Sequence, residues 1–194
     1  MEKTNNKLYS IKLPEERQDM LDIVRTYLFG PIQNIDNDGL EVISGNGNVE
    51  CYTYAIIDAM KKPDISVLLD AYDTDWQCLW KGEAFEQFSF YAPYIVKVNS
   101  GSRFSEWLLD TGWGKGWGIY IRSYLDLNKL AYHFRKFNEI YDEANNTWVM
   151  FRFYSPKTIK EYIPHLPIKD FIQLTDGVTR IVSEDYETKN LLIL

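Results

Sequence analysis

Cys51 is the side chain with the most favourable context for a nucleophile, at the start of the run CYTYAIID. A thiol hydrolase needs a histidine within reach of its cysteine, and the chain offers His133 and His165. A cysteine that opens an apolar run more often packs as a small hydrophobic residue than reacts. We therefore expect a structural Cys51. A thiol-dependent hydrolase that uses Cys51 with a histidine is the alternative function.

Four glycines alternate with tryptophan and lysine in the segment DTGWGKGWG, residues 110–118. Such N–H groups can bind a phosphate, but a P-loop requires Gly-Lys-Ser/Thr, whereas Lys115 is followed by Gly116. A dinucleotide fingerprint runs from strand through glycines to helix, and here the predicted order is helix, glycines, strand. The segment therefore predicts a helix-to-strand corner, with Gly112 left-handed at the helix end and two tryptophans clamped against the turn.

Carboxylates that a glycosidase could pair are present at Asp58, Glu83 and Asp110. An acidic chain of this size offers such residues whether or not it is an enzyme, so they do not predict a catalytic pair. The two cysteines, Cys51 and Cys78, have neither CxxC spacing nor histidines at zinc-ligand spacing. We expect no catalytic residue, no metal and no cofactor.

Three charged residues interrupt or end apolar strands: Asp58 ends YAIID, Arg122 ends IYIR and Arg152 lies inside FRFY. A charge buried in a protein must be paired, because its desolvation is otherwise costly. We therefore predict a structural ion pair between Asp58 and one of the two arginines, inside the sheet or at its edge.

The composition favours a globular protein that binds a partner. Hydrophobic residues make up 45% of the 194 residues, and aromatic residues make up 15%, more than a core requires. The formal net charge of -7 disfavours nucleic-acid binding, which needs clustered cations. The N-terminus lacks the apolar segment of a signal peptide, no apolar run is long enough to span a membrane, and the cysteines suggest no disulfide framework. These features predict a cytoplasmic protein.

The alternation of apolar runs with amphipathic segments predicts an α/β or α+β fold: a single domain with a central mixed sheet flanked by helices. A helical extension and loop, 1–48, is expected before a core domain, 49–183, and a C-terminal tail, 184–194. Apolar runs predict strands over 51–58, 76–79, 94–98 and 118–122, a hairpin over 138–154 and an edge strand over 179–182. Helices are predicted over 14–29, 63–69, 83–90, 103–110, 127–137, 155–163 (capped by Ser155) and 167–174.

Six ordered segments carry a resemblance to a known family: YAIIDA at 54–59, LWKGE at 79–83, APYIV at 92–96, WLLDTGWGKGWGIYIRS at 107–123, a stretch ending in HFRKF at 127–137, and FRFYSP at 151–156. Over about residues 52–175 the chain resembles the domain of unknown function 4123 family, the effector adaptors or chaperones of bacterial type VI secretion. Two positions depart from the family pattern. Ser155 stands where an Asp is usual, and the Phe-Phe-Gly-Pro ending of the core here reads DFIQLTDGV.

The resemblance implies a non-enzymatic cytoplasmic adaptor that binds one toxic effector and helps load it onto the VgrG spike. An aromatic surface could cover an apolar segment of that effector until delivery. Tyrosine and tryptophan outside the predicted core faces are the expected anchors, since these residue types dominate binding hot spots. The candidates are Tyr72, Trp76 and Tyr132.

Overall fold

The computed structural model describes residues 7–35, 41–43, 50–185 and 187–194. Its strands are β1 (Tyr9–Lys12), β2 (Gln33–Ile35), β3 (Glu41–Ile43), β4 (Tyr52–Asp58), β5 (Trp76–Cys78), β6 (Pro93–Val98), β7 (Gly118–Ser123), β8 (Glu139–Asp142), β9 (Thr147–Met150), β10 (Val178–Asp185) and β11 (Asn190–Ile193). Within the described residues, one sheet of seven strands has the order β1-β11-β10-β7-β4-β6-β5. The pairs β2-β3 and β8-β9 lie outside this sheet.

The helices are α1 (Arg17–Phe29), α2 (Ile65–Ala71), α3 (Glu83–Phe88), α4 (Arg103–Trp107), α5 (Leu127–Phe134), α6 (Pro156–Glu161) and α7 (Ile168–Leu174). Short 3-10 turns extend α3 and α5, over Ser89–Tyr91 and Arg135–Phe137. Ser155 occupies the N-cap position of α6, as predicted, but its side chain makes no capping hydrogen bond. Pro156 at the first position of α6 has no N–H to satisfy, so the helix start loses little by this.

Helices cover both faces of the seven-stranded sheet, so the fold has three layers. Side chains alternate along β4, as they do in any strand. Ala55 and Ile57 pack on the face where α1, α2 and α4 bury their apolar residues. Tyr54 and Ile56 pack on the opposite face, under α5, α6 and α7. β4 is therefore buried on both faces, as its continuous apolar sequence predicts.

The predicted fold class, a single domain with a central sheet flanked by helices, is confirmed, but the sheet is not mixed. Every pair of neighbouring strands in it runs antiparallel. The prediction of a mixed sheet rested on the alternation of strands with helices. That alternation also fits an antiparallel sheet. β4 pairs with β6 and with β7, and helices separate these strands along the chain.

The C-terminal segment differs most from expectation. β10 lies inside the sheet between β7 and β11, so the predicted edge strand over 179–182 is an interior one. The expected tail, 184–194, includes β11, whose Leu191 and Leu192 are buried. β1, in the expected N-terminal extension, pairs with β11 and forms one edge of the sheet. Both chain ends therefore complete the core, while most of the loop expected before residue 49 lies outside the described residues.

The glycine-rich segment forms the predicted corner, with a different glycine conformation. α4 continues into a single π-helical turn over Leu108–Gly112 before the chain turns into β7. The positive φ angles are at Gly114, 92°, and Gly116, 65°, and not at Gly112 as predicted. Gly112 is required for space, since a Cβ there would lie 2.6 Å from the indole of Trp117.

The corner holds a carboxyl group of the same chain. The N–H groups of Gly114 and Gly116 both donate to the buried side chain of Glu184 on β10, the latter at 2.6 Å. Burial raises the pKa of Glu184 to about 7, although the two hydrogen bonds favour its charged form. These glycine N–H groups serve the scaffold, because Glu184 occupies the place that a phosphate would take in a phosphate loop.

Candidate partner-binding groove

The thiol and the two histidines lie in three separate parts of the fold. Cys51 is half-buried immediately before β4, and its Sγ lies 3.9 Å from the carbonyl oxygen of Tyr52. His133 is buried on α5, and its Nε2 lies 2.9 Å from the carbonyl oxygen of Leu174. His165 is exposed in the turn after α6. Within the described chain, no hydrogen bond joins Cys51 to either histidine.

The structure brings Arg152 to Asp58 and places Arg122 elsewhere. Asp58, at the end of β4, is 2% exposed, and its carboxylate accepts hydrogen bonds from Arg152 and from the N–H of Met60. Arg152 is 32% exposed and lies just beyond β9. Arg122 on β7 is buried and donates to the carbonyl oxygen of Gly30, and burial lowers its pKa.

Only one of the three aromatic anchor candidates is exposed. Tyr72 is half-buried against the rings of Phe104 and Trp107. Trp76 is half-buried against Tyr94, with its indole N–H 3.0 Å from the carboxylate of Asp70. Both side chains therefore join α2 and β5 to the core and offer little free surface. Tyr132, in contrast, is 66% exposed on α5.

A wide groove with a cavity volume of about 770 Å³ opens at one end of the sheet, and Tyr132 is not among the residues that line it. One wall is α3 with its 3-10 extension, which contributes Phe88 and Tyr91, and the other is the β8-β9 hairpin. α3 has no buried residue of its own, and all four residues of β9 are exposed. The remaining apolar lining comes from the β4 and β5 ends of the sheet: Met60, Leu79 and Trp80.

β9 supplies the most exposed apolar surface of the groove. Trp148 and Met150 are two residues apart, so they lie on the same face of the strand, and both line the groove. Trp148 is 65% exposed and stacks edge-to-face on Tyr141 of β8, with the ring centroids 5.3 Å apart. Val149, on the other face, is also exposed. These exposed side chains contribute almost nothing to the stability of the fold, because a two-stranded hairpin of this kind buries little apolar surface.

The base of the hairpin is firmly attached although its strands are exposed. The side-chain amide of Asn138 donates to the carbonyl oxygen of Leu79 at 2.9 Å. The backbone carbonyl oxygen of Asn138 accepts from the N–H of Phe151 at 2.7 Å. Phe153 is buried and stacks on Phe134 of α5 at 5.1 Å. The Asp58–Arg152 pair lies at the same base. These contacts attach the base of the hairpin to the sheet and to α5, and so fix the position of this wall of the groove.

The sequence gives a partial signal for this groove. The run WVMFRFY, residues 148–154, predicts one strand of the hairpin, whereas β9 ends at Met150 and the following residues turn back onto the sheet. A continuous apolar run is typical of a buried strand, so exposure of its first half could not be read from the pattern. The hairpin's turn is rich in Asn, Asp and Glu, and this polarity was the available indication that the hairpin projects into solvent.

Comparison with known proteins gives one family. Residues 53–170 match the family described as Domain of unknown function (DUF4123). The chain belongs to this family. The resemblance noted from the six ordered segments is thereby confirmed. Searches among curated proteins and among solved structures each gave no match.

The part of the chain that matches the DUF4123 family contains every residue that lines the groove. It also contains Asp58 and Arg152. β1, α1, β10 and β11 all fall outside the matched range, although they complete the sheet and its first core layer. The groove is thus part of the DUF4123 domain itself.

Among the described residues, no group of three or more His, Cys, Asp or Glu side chains is arranged to hold a metal ion. None of the described helices has the length and apolar character needed to cross a membrane.

Proposed function

We propose that this DUF4123 chain is a non-enzymatic adaptor or chaperone, which binds a type VI secretion effector through the groove and helps load it onto the VgrG spike. The observation that carries the proposal is the exposed apolar groove between α3 and the β8-β9 hairpin. A chain that leaves tryptophan, methionine and phenylalanine side chains exposed along one concavity has a surface typical of protein-protein interaction. The cytoplasm is the proposed location.

The physical role follows from the cost of exposing apolar surface. Secreted toxins often carry apolar segments. Such segments aggregate in water unless another surface covers them until delivery. A concave surface lined by Trp148, Met150 and Phe88 can cover a segment of this kind without catalysing any reaction. Tryptophan and methionine suit this task, because tryptophan gives a large rigid contact and methionine adapts to irregular shapes.

Co-expression with the product of the adjacent effector gene tests the proposal. We expect a stoichiometric complex, and an effector that is poorly soluble when expressed alone. Trp148→Ser should weaken the complex by about thirtyfold in Kd, the effect of losing a hot spot of about 2 kcal/mol. The matched control is Tyr9→Ser: Tyr9 and Trp148 are both 65% exposed, but Tyr9 lies on the distant edge strand β1.

Three results would count against the adaptor. The first is the absence of a complex with the effector, and the second is equal weakening by Trp148→Ser and Tyr9→Ser. The third is turnover of a peptide or ester substrate by the purified protein, abolished by Cys51→Ala, which would favour the thiol hydrolase instead.

A further inference from the structure

The groove has a positive rim although the chain as a whole is acidic. Its lining includes Lys81, Arg135 and Lys136 and a single acidic residue, Glu139. The formal net charge of the chain is -7. The lining of the groove therefore has a positive net charge in a chain whose net charge is negative. Clefts lined by one sign of charge concentrate ligands of the opposite sign.

The charges of these cations are not neutralised by the described part of the chain, since none of the three forms a salt bridge there. Arg135 donates to neutral acceptors, the side-chain oxygen of Gln77 at 2.7 Å and the carbonyl oxygen of Cys78 at 2.8 Å. The ammonium of Lys136 lies 4.9 Å from the ring centroid of Tyr132. These partners orient Arg135 and Lys136 at the groove and leave their charge available to a ligand.

The lining of the groove also bears on the conformation of its ligand. It consists of side chains from one helix, two 3-10 turns, the two strands of the hairpin and the segments that join these elements to the sheet. An extended peptide that adds to a sheet is recognised mainly by backbone hydrogen bonds along one strand edge. A helix is recognised by apolar anchors on one face that enter a side-chain-lined groove. A volume of about 770 Å³ is enough to receive several such anchors.

We propose that the groove binds one amphipathic helix of the partner protein, whose apolar face carries anchors at i, i+3 or i+4 and i+7 and is bordered by aspartate or glutamate. This specification rests on the proposed function, because it names the part of the effector that the adaptor holds. The apolar face packs between Phe88, Trp148 and Met150, and the acidic border pairs with Lys81 and Lys136 at the rim. The cations then select the helix and fix its direction in the groove.

A random library of 16-residue peptides, displayed on phage, provides a test without knowledge of the effector. The full-length protein is the target, and the Trp148→Ser, Met150→Ser double variant is the counter-target. We expect enriched peptides with helical apolar periodicity and net negative charge, which bind the wild-type protein at least tenfold more tightly than the variant. Circular dichroism and thermal unfolding of the variant establish that it is folded.

Charge reversal tests the rim separately. Lys81→Glu with Lys136→Glu should weaken the selected peptides by about tenfold at low salt and by less at high salt, because exposed ion pairs are screened. Lys12→Glu with Lys169→Glu makes the same change in net charge at two exposed lysines outside the groove, and should have little effect.

Each remaining outcome contradicts the proposal. Enrichment of basic peptides, enrichment without helical periodicity, equal binding to the groove variant, or no enrichment at all would exclude an acidic amphipathic helix as ligand. Self-association of the free protein that Trp148→Ser, Met150→Ser abolishes would assign the groove to a second copy. None of these results depends on the effector complex, so the adaptor function can stand when this specification fails, and failure of the adaptor function is detected by the separate co-expression experiment.

Discussion

Replacing Arg152 by methionine tests whether the ion pair at the base of the hairpin holds the groove in place. The substitution keeps a long flexible side chain and removes the positive charge. Asp58 would then remain buried, at 2% exposure, with the N–H of Met60 as its one described donor. The reverse change, Asp58→Asn, leaves a guanidinium that is 32% exposed and that water can reach. The two variants are therefore expected to differ in stability.

The magnitude follows from the burial of each partner. Removing one partner of a fully buried pair costs about 3–5 kcal/mol, because an uncompensated charge remains. The pair here is open to water on the arginine side, so we expect a loss of about 2–4 kcal/mol for Arg152→Met and about 1–2 kcal/mol for Asp58→Asn. For a chain of 194 residues the first value corresponds to a fall in Tm of roughly 5–15 °C.

Urea unfolding followed by tryptophan fluorescence measures these losses. In the double variant the buried charge and its partner are both absent, so its loss should be smaller than the sum of the single losses by more than 1 kcal/mol. Additive losses, or a stable Arg152→Met variant, would refute the reasoning. Because Arg152 follows β9 and Asp58 precedes Met60, the same substitution should also weaken effector binding through the groove.

Three further predictions concern the scaffold. Burial raises the pKa of Glu184 from its ordinary value of 4.5 to about 7, so between these pH values the folded protein keeps a proton that the unfolded chain has lost. The free energy of unfolding should therefore fall as the pH rises through this range, by roughly 3 kcal/mol at most. Glu184→Gln should flatten this dependence in urea titrations from pH 5 to pH 8. Gly118→Ala should prevent or severely impair folding, seen as loss of soluble protein, since its Cβ would lie 1.8 Å from the carbonyl oxygen of Ile56, whereas normal yield would contradict this geometry. Cys51→Ala should leave effector binding intact and change Tm by only a few degrees, and abolished function would favour the thiol hydrolase.

Local sequence pattern was sufficient for the elements that are buried on both faces. The run CYTYAIID predicts β4 because an uninterrupted apolar stretch fits a central strand, and the periodic apolar residues of α5 predict its buried face. The partner of Asp58 was narrowed to two arginines by the cost of a buried charge. The choice between them depends on the tertiary fold: β7 runs antiparallel to β4, so Arg122 lies opposite Thr53 at the start of β4, whereas Asp58 ends that strand.

Pairing across the whole chain could not be predicted from local pattern. β1 and β11 are both short, and they are far apart in sequence, so neither predicts its partner. The polar residues Ser183, Glu184 and Asp185 make β10 look like an exposed segment, although it is an interior strand. Glu184 can be buried there because it accepts hydrogen bonds from N–H groups of the glycine corner, which lies about 70 residues earlier in the chain. The partial burial of Tyr72 could not be predicted for a related reason, because its aromatic partners lie on α4, far along the chain.

The groove combines a weakly packed rim with a rigid base, and this arrangement suits a binding site for one specific partner. α3 and the β8-β9 hairpin bury few apolar residues, so they belong to the part of the fold that opens at least cost. Below them, Phe153 stacks on α5 and Arg152 pairs with Asp58, so opening of the rim need not disturb the sheet. A partner helix that enters the groove would bury Trp148 and Met150 and would order both walls. Binding should therefore slow amide exchange in residues 83–91 and 139–150 much more than in β4, whose amides are already protected by two neighbouring strands.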